Sequence, residues 1–174
     1  MTIYTFANIL TGLIEAVMVF LLFGTFCAKR ENIPVWVYWI GIILLTTLIN
    51  LSNTVFNYGI LNAVGMSAAF FIVSFLYKGN IPAKIIISVL AFLLISIIEI
   101  IVMFIIVLIF NISVTETIHI PAYRLLGIIV SKTLALLIVS IIRFKYKNKS
   151  LILKPTDWLL FLIIFHIYQQ QEKR

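Results

Sequence analysis

Charge is scarce in this chain. Of its 174 residues only 11% are charged, whereas 63% are hydrophobic. A soluble domain carries a polar shell in which about a quarter of the residues are charged. The low charge therefore excludes that class, and the polar residues cluster so that apolar runs of about 18 residues or more remain between them. Such runs are typical of membrane-spanning helices, and we interpret the chain as an integral membrane protein.

Residues that carry chemistry are equally rare. The single cysteine, Cys27, excludes an internal disulfide, and no cysteine or histidine spacing indicates a metal site. A nucleophilic role for Cys27 would require a base partner, which no spacing supplies. Catalytic and cofactor motifs are missing too. The sequence thus predicts a protein without catalytic residues, bound metal or cofactor, and not an enzyme.

The net charge of +7 has a local origin. Five of the thirteen basic residues fall in the segment RFKYKNKSLILK, directly after an apolar run. Nucleic-acid binding would need a basic face on a polar folded surface, so we expect no nucleic-acid partner. We interpret the segment as charge that flanks the membrane on its cytoplasmic side, with a site for anionic lipid as the alternative. This basic cluster consists of Arg143, Lys145, Lys147, Lys149 and Lys154.

The apolar runs predict an all-α fold, a polytopic transmembrane helical bundle that forms one domain over residues 1–174. Five full spans are expected, at about 3–28, 35–51, 60–77, 83–110 and 122–142. A further apolar segment, 158–168, covers only about 16 Å as a helix, half of the roughly 30 Å hydrocarbon layer. We expect that segment to be short, interfacial or cut off, because the chain ends like the first turn of a linker.

The loops predict the orientation. Basic residues outside the cluster follow the first span or flank the turn after the third: Lys29, Arg30, Lys78 and Lys84. The alternate connections, 52–59 and 111–121, contain no lysine or arginine. Positive charge marks the cytoplasmic side of a membrane protein, so the N-terminus is expected outside the cell.

Three ionisable residues are expected inside the spans, namely Glu15, Glu99 and Lys132. Counted from the outer span ends at 1.5 Å per residue, they lie about 18, 16 and 15 Å deep, in one layer near the midplane. We expect Glu99 to pair with Lys132, so that exchanging the two residues would preserve the pair. Glu15 is then near the same lysine or protonated. The layer fixes helix packing, responds to a ligand or proton, or consists of charges that lie there by chance.

The outer connections hold the candidate ligand-binding residues. Asn53, Asn57 and Tyr58 lie on one connection, and Glu116 and His119 lie on the other. The tyrosine offers an aromatic contact, while the other side chains offer hydrogen bonds. We expect an extracellular ligand to meet these groups first.

One pattern covers essentially the whole chain. It consists of the short loops, the basic turn RFKYKNKS and the ending IYQQQEKR. It resembles the membrane sensor region of quorum-sensing histidine kinases of the accessory-gene-regulator type, whose kinase domain is a GHKL ATPase. The resemblance is one of pattern rather than of a motif. It implies a multi-pass protein of the bacterial plasma membrane that detects an extracellular peptide, with a homodimer as the expected assembly.

The chain differs from that family in the part that should contain the kinase domain. It contains no phosphoacceptor helix and no glycine-rich nucleotide boxes, so it would be a sensor truncated before its kinase domain. A response regulator would be a partner only through that missing domain. Family members are usually drawn with six or seven spans, whereas an external N-terminus and a cytoplasmic tail require an odd number.

Two other classes remain open. The substrate-binding subunit of an energy-coupling-factor-type vitamin or metal importer has a similar length, about six helices and no soluble domain. A membrane-embedded enzyme is the third, although no catalytic constellation supports it. The neighbouring reading frame would discriminate, because a kinase or response regulator indicates the sensor and a pair of ATPases indicates the importer.

Overall fold

The fold is helical. The computed structural model describes residues 3–55 and 59–146, without the side chains of residues 3–6, 118 and 119. In those ranges the only β pairing is an isolated bridge between Lys29 and Tyr77. The all-α prediction is confirmed there, and the apolar segment predicted at 158–168 lies outside the described residues.

Six helices form the described part of the chain: α1 (Ile3–Phe26), α2 (Val35–Val55), α3 (Ile60–Ser74), α4 (Ile81–Phe110), α5 (Val114–His119) and α6 (Pro121–Tyr146). Four of them, α1, α2, α4 and α6, are long and apolar enough to cross a membrane. This finding supports a multi-pass membrane protein. The helix α5, which the sequence analysis treated as part of a connection, is an addition.

The third predicted span is shorter than expected. Instead of extending over 60–77, the helix α3 has 15 residues and covers about 22 Å, less than the roughly 30 Å hydrocarbon layer. It ends early because the chain turns back toward the end of α1, where the Lys78 N–H donates to the Ala28 carbonyl at 2.7 Å. A fifth full span therefore does not follow from helix length alone.

Local sequence signals fix the limits of α4. The Asn80 side chain caps its start by accepting from the Ala83 N–H at 3.3 Å, and Pro82 occupies the first turn, where no N–H is required. The helix ends at Phe110, and Asn111 caps this end in the left-handed conformation with φ of 50°. The resulting 30 residues span about 45 Å, so α4 must tilt or project from the hydrocarbon layer.

The five helices other than α5 form a closed ring. In order around it, α1 packs on α2, α2 on α3, α3 on α4, α4 on α6, and α6 again on α1. A further contact between α1 and α4 crosses the ring. The sequence does not encode this order in its periodicity, because every long helix is apolar on most of its circumference.

One end of the ring is closed by aromatic packing. The Tyr77 ring stacks on Phe23 with centroids 5.6 Å apart and meets Tyr38 edge-on at 5.7 Å. Its hydroxyl donates to the Phe20 carbonyl at 3.0 Å, which ties the end of α3 to α1. This aromatic plug lies at the same end as Lys29 and Lys78. The bundle is therefore sealed where the basic loops are.

Candidate functional site

A cavity of about 1020 Å³ lies in the half of the bundle opposite the aromatic plug. Its lining residues belong to the halves of the long helices nearest α5 and the α2–α3 connection. Polar positions recur on the faces turned toward it. Asn8, Thr11 and Glu15 follow one another at helical spacing on α1. On α4, Ser96 and Glu99 do so between the apolar Phe92 and Met103. Intervals of three and four residues place such side chains on one face of a helix.

Three charged side chains lie at the deep end of this cavity. The Lys132 ammonium on α6 donates hydrogen bonds to Glu15 on α1 and to Glu99 on α4. Lys132 and Glu15 have side chains only 4% and 5% exposed, whereas the Glu99 side chain is 45% exposed. These three residues, the ion cluster, connect three helices at one level, and the contacts offset the cost of the two buried charges, Lys132 and Glu15.

The ion cluster is not fully satisfied. Glu15 Oε2 is buried and has no hydrogen-bond partner among the described residues. One ammonium faces two carboxylates, so the cluster carries one negative charge when all three groups are ionised. A buried acceptor without a partner costs about 1–3 kcal/mol, and more when it is charged. The arrangement therefore favours the arrival of a further positive or hydrogen-donating group.

Amide and hydroxyl groups line the mouth of the cavity. The Ser52 hydroxyl donates to Asn62 Oδ1 at 2.7 Å, and Asn62 Nδ2 donates to Asn53 Oδ1 at 3.0 Å. Asn50 donates to the Thr46 carbonyl at 2.8 Å on the same side. This network joins the end of α2 to the start of α3. It presents hydrogen-bond donors and acceptors to a molecule that enters the cavity.

The predicted charged layer is found as one group. Glu99 and Lys132 are in contact as expected, and Glu15 takes the first of its two expected arrangements, beside the same lysine. The pair on which the sequence analysis relied is therefore a triad. This difference matters, because exchanging Glu99 and Lys132 would place a carboxylate at position 132 beside Glu15.

The predicted ligand-binding residues have different positions. Asn53 lines the cavity. Glu116 is exposed and does not line it, since its carboxylate accepts from the N–H of Ser113 at 2.6 Å and from its hydroxyl at 2.8 Å in a capping box. These bonds hold the pKa of Glu116 below its ordinary value. Asn57, Tyr58 and the His119 side chain lie outside the described part.

The predicted basic cluster is described only at its start. Arg143 and Lys145 lie in the last turn of α6, exposed, at the end of the bundle that carries the aromatic plug. Cations are favoured at this position because the carbonyl end of a helix is partially negative. Lys147, Lys149 and Lys154 lie outside the described residues.

Several lining residues were missed in the sequence analysis. The strongest omission is Arg124, a partly buried arginine that lines the cavity about two turns nearer the mouth than Lys132. Ser96 and Ser131 were also overlooked. The sequence did contain a signal for these three residues. Each is a polar residue within a predicted span, and each is close in sequence to Glu99 or Lys132. Lys84, assigned to a loop flank, is instead buried in α4, with its ammonium 4.8 Å from the centre of the Phe75 ring.

Comparison of the chain with family models, with curated proteins and with solved structures gave no match. The cavity, the ion cluster and the distribution of charge are therefore the features from which a function can be inferred.

Proposed function

We propose that the chain is the membrane sensor module of a bacterial two-component signalling system, with an extracellular ligand bound in the cavity. The observation that carries the proposal is the position of the ion cluster. It lies at the deep end of the cavity and holds α1, α4 and α6 together. A ligand that reaches Glu99 therefore acts on a contact shared by three helices. Occupancy can then bias how those helices pack.

The proposal includes a plasma-membrane location with the N-terminus and the cavity mouth outside. The basic residues beside the aromatic plug support this orientation, since positive charge favours the cytoplasmic side. It also includes five spans. Although α3 is short, it begins at the cavity mouth with Asn62 and ends beside the aromatic plug, so it runs from one end of the ring to the other. Local thinning of the bilayer accommodates such a short span at modest cost.

The helix α6 is the proposed route for the signal. Lys132 lies near its middle, and Arg143 follows 11 residues later, about 16 Å nearer the cytoplasm. A change in the bonds of Lys132 therefore acts on a rigid element that leads to the basic cluster. In this proposal a kinase follows the tail, the sensor works as a homodimer, and the response regulator is reached only through that kinase. The bilayer, including anionic lipid at the basic cluster, is the other partner.

The size of the cavity favours a second candidate function. Pockets of about 300–1,000 Å³ bury small organic molecules, and the volume of this cavity lies just above that range. The substrate-binding subunit of an energy-coupling-factor-type vitamin importer would use such a site. In the sensor, the same volume would admit a compact peptide or one end of a longer peptide.

A chimera tests the sensor function. A histidine-kinase output is joined after residue 174, and cells that carry it are challenged with culture medium of the source organism. We expect a response that Ser96→Trp abolishes, because the indole occupies the part of the cavity beside Glu99 without changing the charge of the lining. Leu93→Trp is the matched control, since Leu93 lies on the same helix but is exposed outside the cavity lining.

The two candidate functions give different results. A response that survives Ser96→Trp, at equal membrane levels, would contradict the cavity as the receptor site. An unresponsive chimera, together with tight binding of a vitamin by the purified chain, would replace the sensor with the importer subunit.

A further inference from the structure

The unbalanced charge of the ion cluster indicates what kind of ligand the cavity accepts. Besides Glu15, Glu99 and Lys132, the only strongly charged side chain of the described lining is Arg124, about 12 Å along α6 from Lys132. The deep end of the cavity thus has an excess of carboxylate. In an apolar layer, such an excess is costly unless a positive group approaches it.

Two independent features make the carboxylates available. Glu99 faces the cavity on the same side of α4 as Ser96 and Met103, and nearly half of its side chain is exposed. Glu15 lines the cavity from the opposite side, and its buried Oε2 has no partner in the described residues. An ammonium group entering the cavity would bring N–H donors directly to Glu99, and to Glu15 Oε2 once the Glu15 carboxylate turns toward the cavity. With the ligand bound, the cluster would contain two positive and two negative groups, and the ammonium groups of the ligand and of Lys132 would each lie beside the carboxylates.

We propose that the ion cluster binds the ammonium group of a small organic cation, whose apolar body lies against the apolar part of the cavity wall. That part contains Met66, Phe70 and Phe92, so the site is larger and more apolar than a bare metal ion requires. This inference depends on the proposed function, because it assumes that the cavity receives a ligand, and it adds the chemical class of that ligand.

A series of three probes tests the charge preference. Phenethylamine, phenethyl alcohol and hydrocinnamate share one apolar body and carry a positive, a neutral and a negative end group. Each is titrated by calorimetry into the purified full chain in lipid nanodiscs. We expect the amine to bind roughly tenfold or more tightly than the alcohol, because both can donate a hydrogen bond to a carboxylate but only the ammonium also brings a positive charge to the carboxylate excess. Hydrocinnamate should bind most weakly.

Two matched carboxylate variants locate the effect. Glu99→Gln keeps the shape of the side chain and removes its charge, so the preference for the amine should fall to about threefold or less. Glu31→Gln removes an exposed carboxylate at the other end of the bundle, where Glu31 is bonded to Lys78, and should leave the preference unchanged. A preference that persists in Glu99→Gln would overturn the assignment of the site.

The remaining outcomes separate this inference from the proposed function. If hydrocinnamate binds most tightly, or all three probes bind equally, and Ser96→Trp abolishes that binding, the cavity is a ligand site but not one for cations. Equal binding is also the result expected if the cluster takes up only a proton. If none of the probes binds, both the inference and the small-molecule cavity are contradicted.

Discussion

Replacing Lys132 by methionine removes the positive charge of the ion cluster while keeping a side chain of similar length. The change leaves two carboxylates without their partner, and Glu15 is almost completely buried. Removing one partner of a buried ion pair costs about 3–5 kcal/mol of unfolding free energy. Because half-exposed Glu99 reaches the cavity, we assign nearly all of this cost to Glu15. For Lys132→Met we therefore expect a loss of about 3–5 kcal/mol.

Neutralising Glu99 and neutralising Glu15 should change the free energy of unfolding differently. Glu99→Gln leaves Glu15 paired with Lys132 and removes a repulsion between carboxylates, so we expect a loss below about 1 kcal/mol. Adding Glu15→Gln to Lys132→Met should restore most of the stability lost in Lys132→Met, since no buried charge is then left unpaired. Unfolding is measured in mixed micelles by titration with dodecyl sulfate, followed by circular dichroism.

A surface ion pair provides the control. Lys78 and Glu31 are 2.6 Å apart but 50% and 84% exposed, and exposed pairs contribute little to stability. Lys78→Met should therefore hardly shift the unfolding midpoint. If Lys132→Met is no more destabilising than Lys78→Met, the ion cluster does not hold the bundle together and the reasoning is wrong.

The triad also changes the expectation for a charge exchange. A simple pair of Glu99 and Lys132 would tolerate exchange of its two residues. In the structure, the exchange would place a carboxylate at position 132 beside Glu15. We now expect the exchanged protein to stay destabilised, and full recovery in the same titration would show that Glu15 is not part of the group.

Three smaller predictions follow from individual contacts. Gly41→Ala should destabilise the bundle by about 1–3 kcal/mol in the same titration, because its Cβ would lie 2.8 Å from Phe20 Cζ and 2.9 Å from Leu76 Cδ1. Tyr77→Phe should cost about 0.5–1.5 kcal/mol through the lost bond to α1, and an unchanged midpoint would exclude that bond. Hydrogen bonds of the capping box lower the pKa of Glu116 in the folded chain, so its contribution is present above the ordinary carboxyl pKa and lost as the pH falls through the folded pKa. Amide protection factors of α5 should decrease over that acidic range, and Glu116→Gln should remove this pH dependence.

The charged layer was predictable because the rise of a helix is fixed. Counting residues from the span ends placed Glu15, Glu99 and Lys132 at one depth, and the structure brings the three into contact. Depth alone does not state which helices are neighbours. The ring order, and with it the third member of the triad, depends on tertiary packing of helices that are apolar on most of their circumference.

The errors at the connections have local causes. The end of α3 was placed three residues too late, because Tyr77 reads as part of an apolar run although its ring packs against α1 and α2. By contrast, α5 had a readable signal. Ser113 and Glu116 form the Ser-x-x-Glu pattern of a capping box, which also explains why Glu116 serves the helix rather than the cavity.

The most direct test of the central claim is the access of water to the cavity from outside the cell. Cys27 is the only cysteine, so Cys27→Ser gives a background for single cysteines at Ser96, Leu93 and Asn32. A membrane-impermeant thiol reagent is applied to intact cells. Ser96→Cys should react, Leu93→Cys should not because it faces apolar surroundings, and Asn32→Cys should react only after permeabilisation. Equal reaction at positions 96 and 93, or reaction of Asn32→Cys but not Ser96→Cys in intact cells, would contradict an outward-facing cavity.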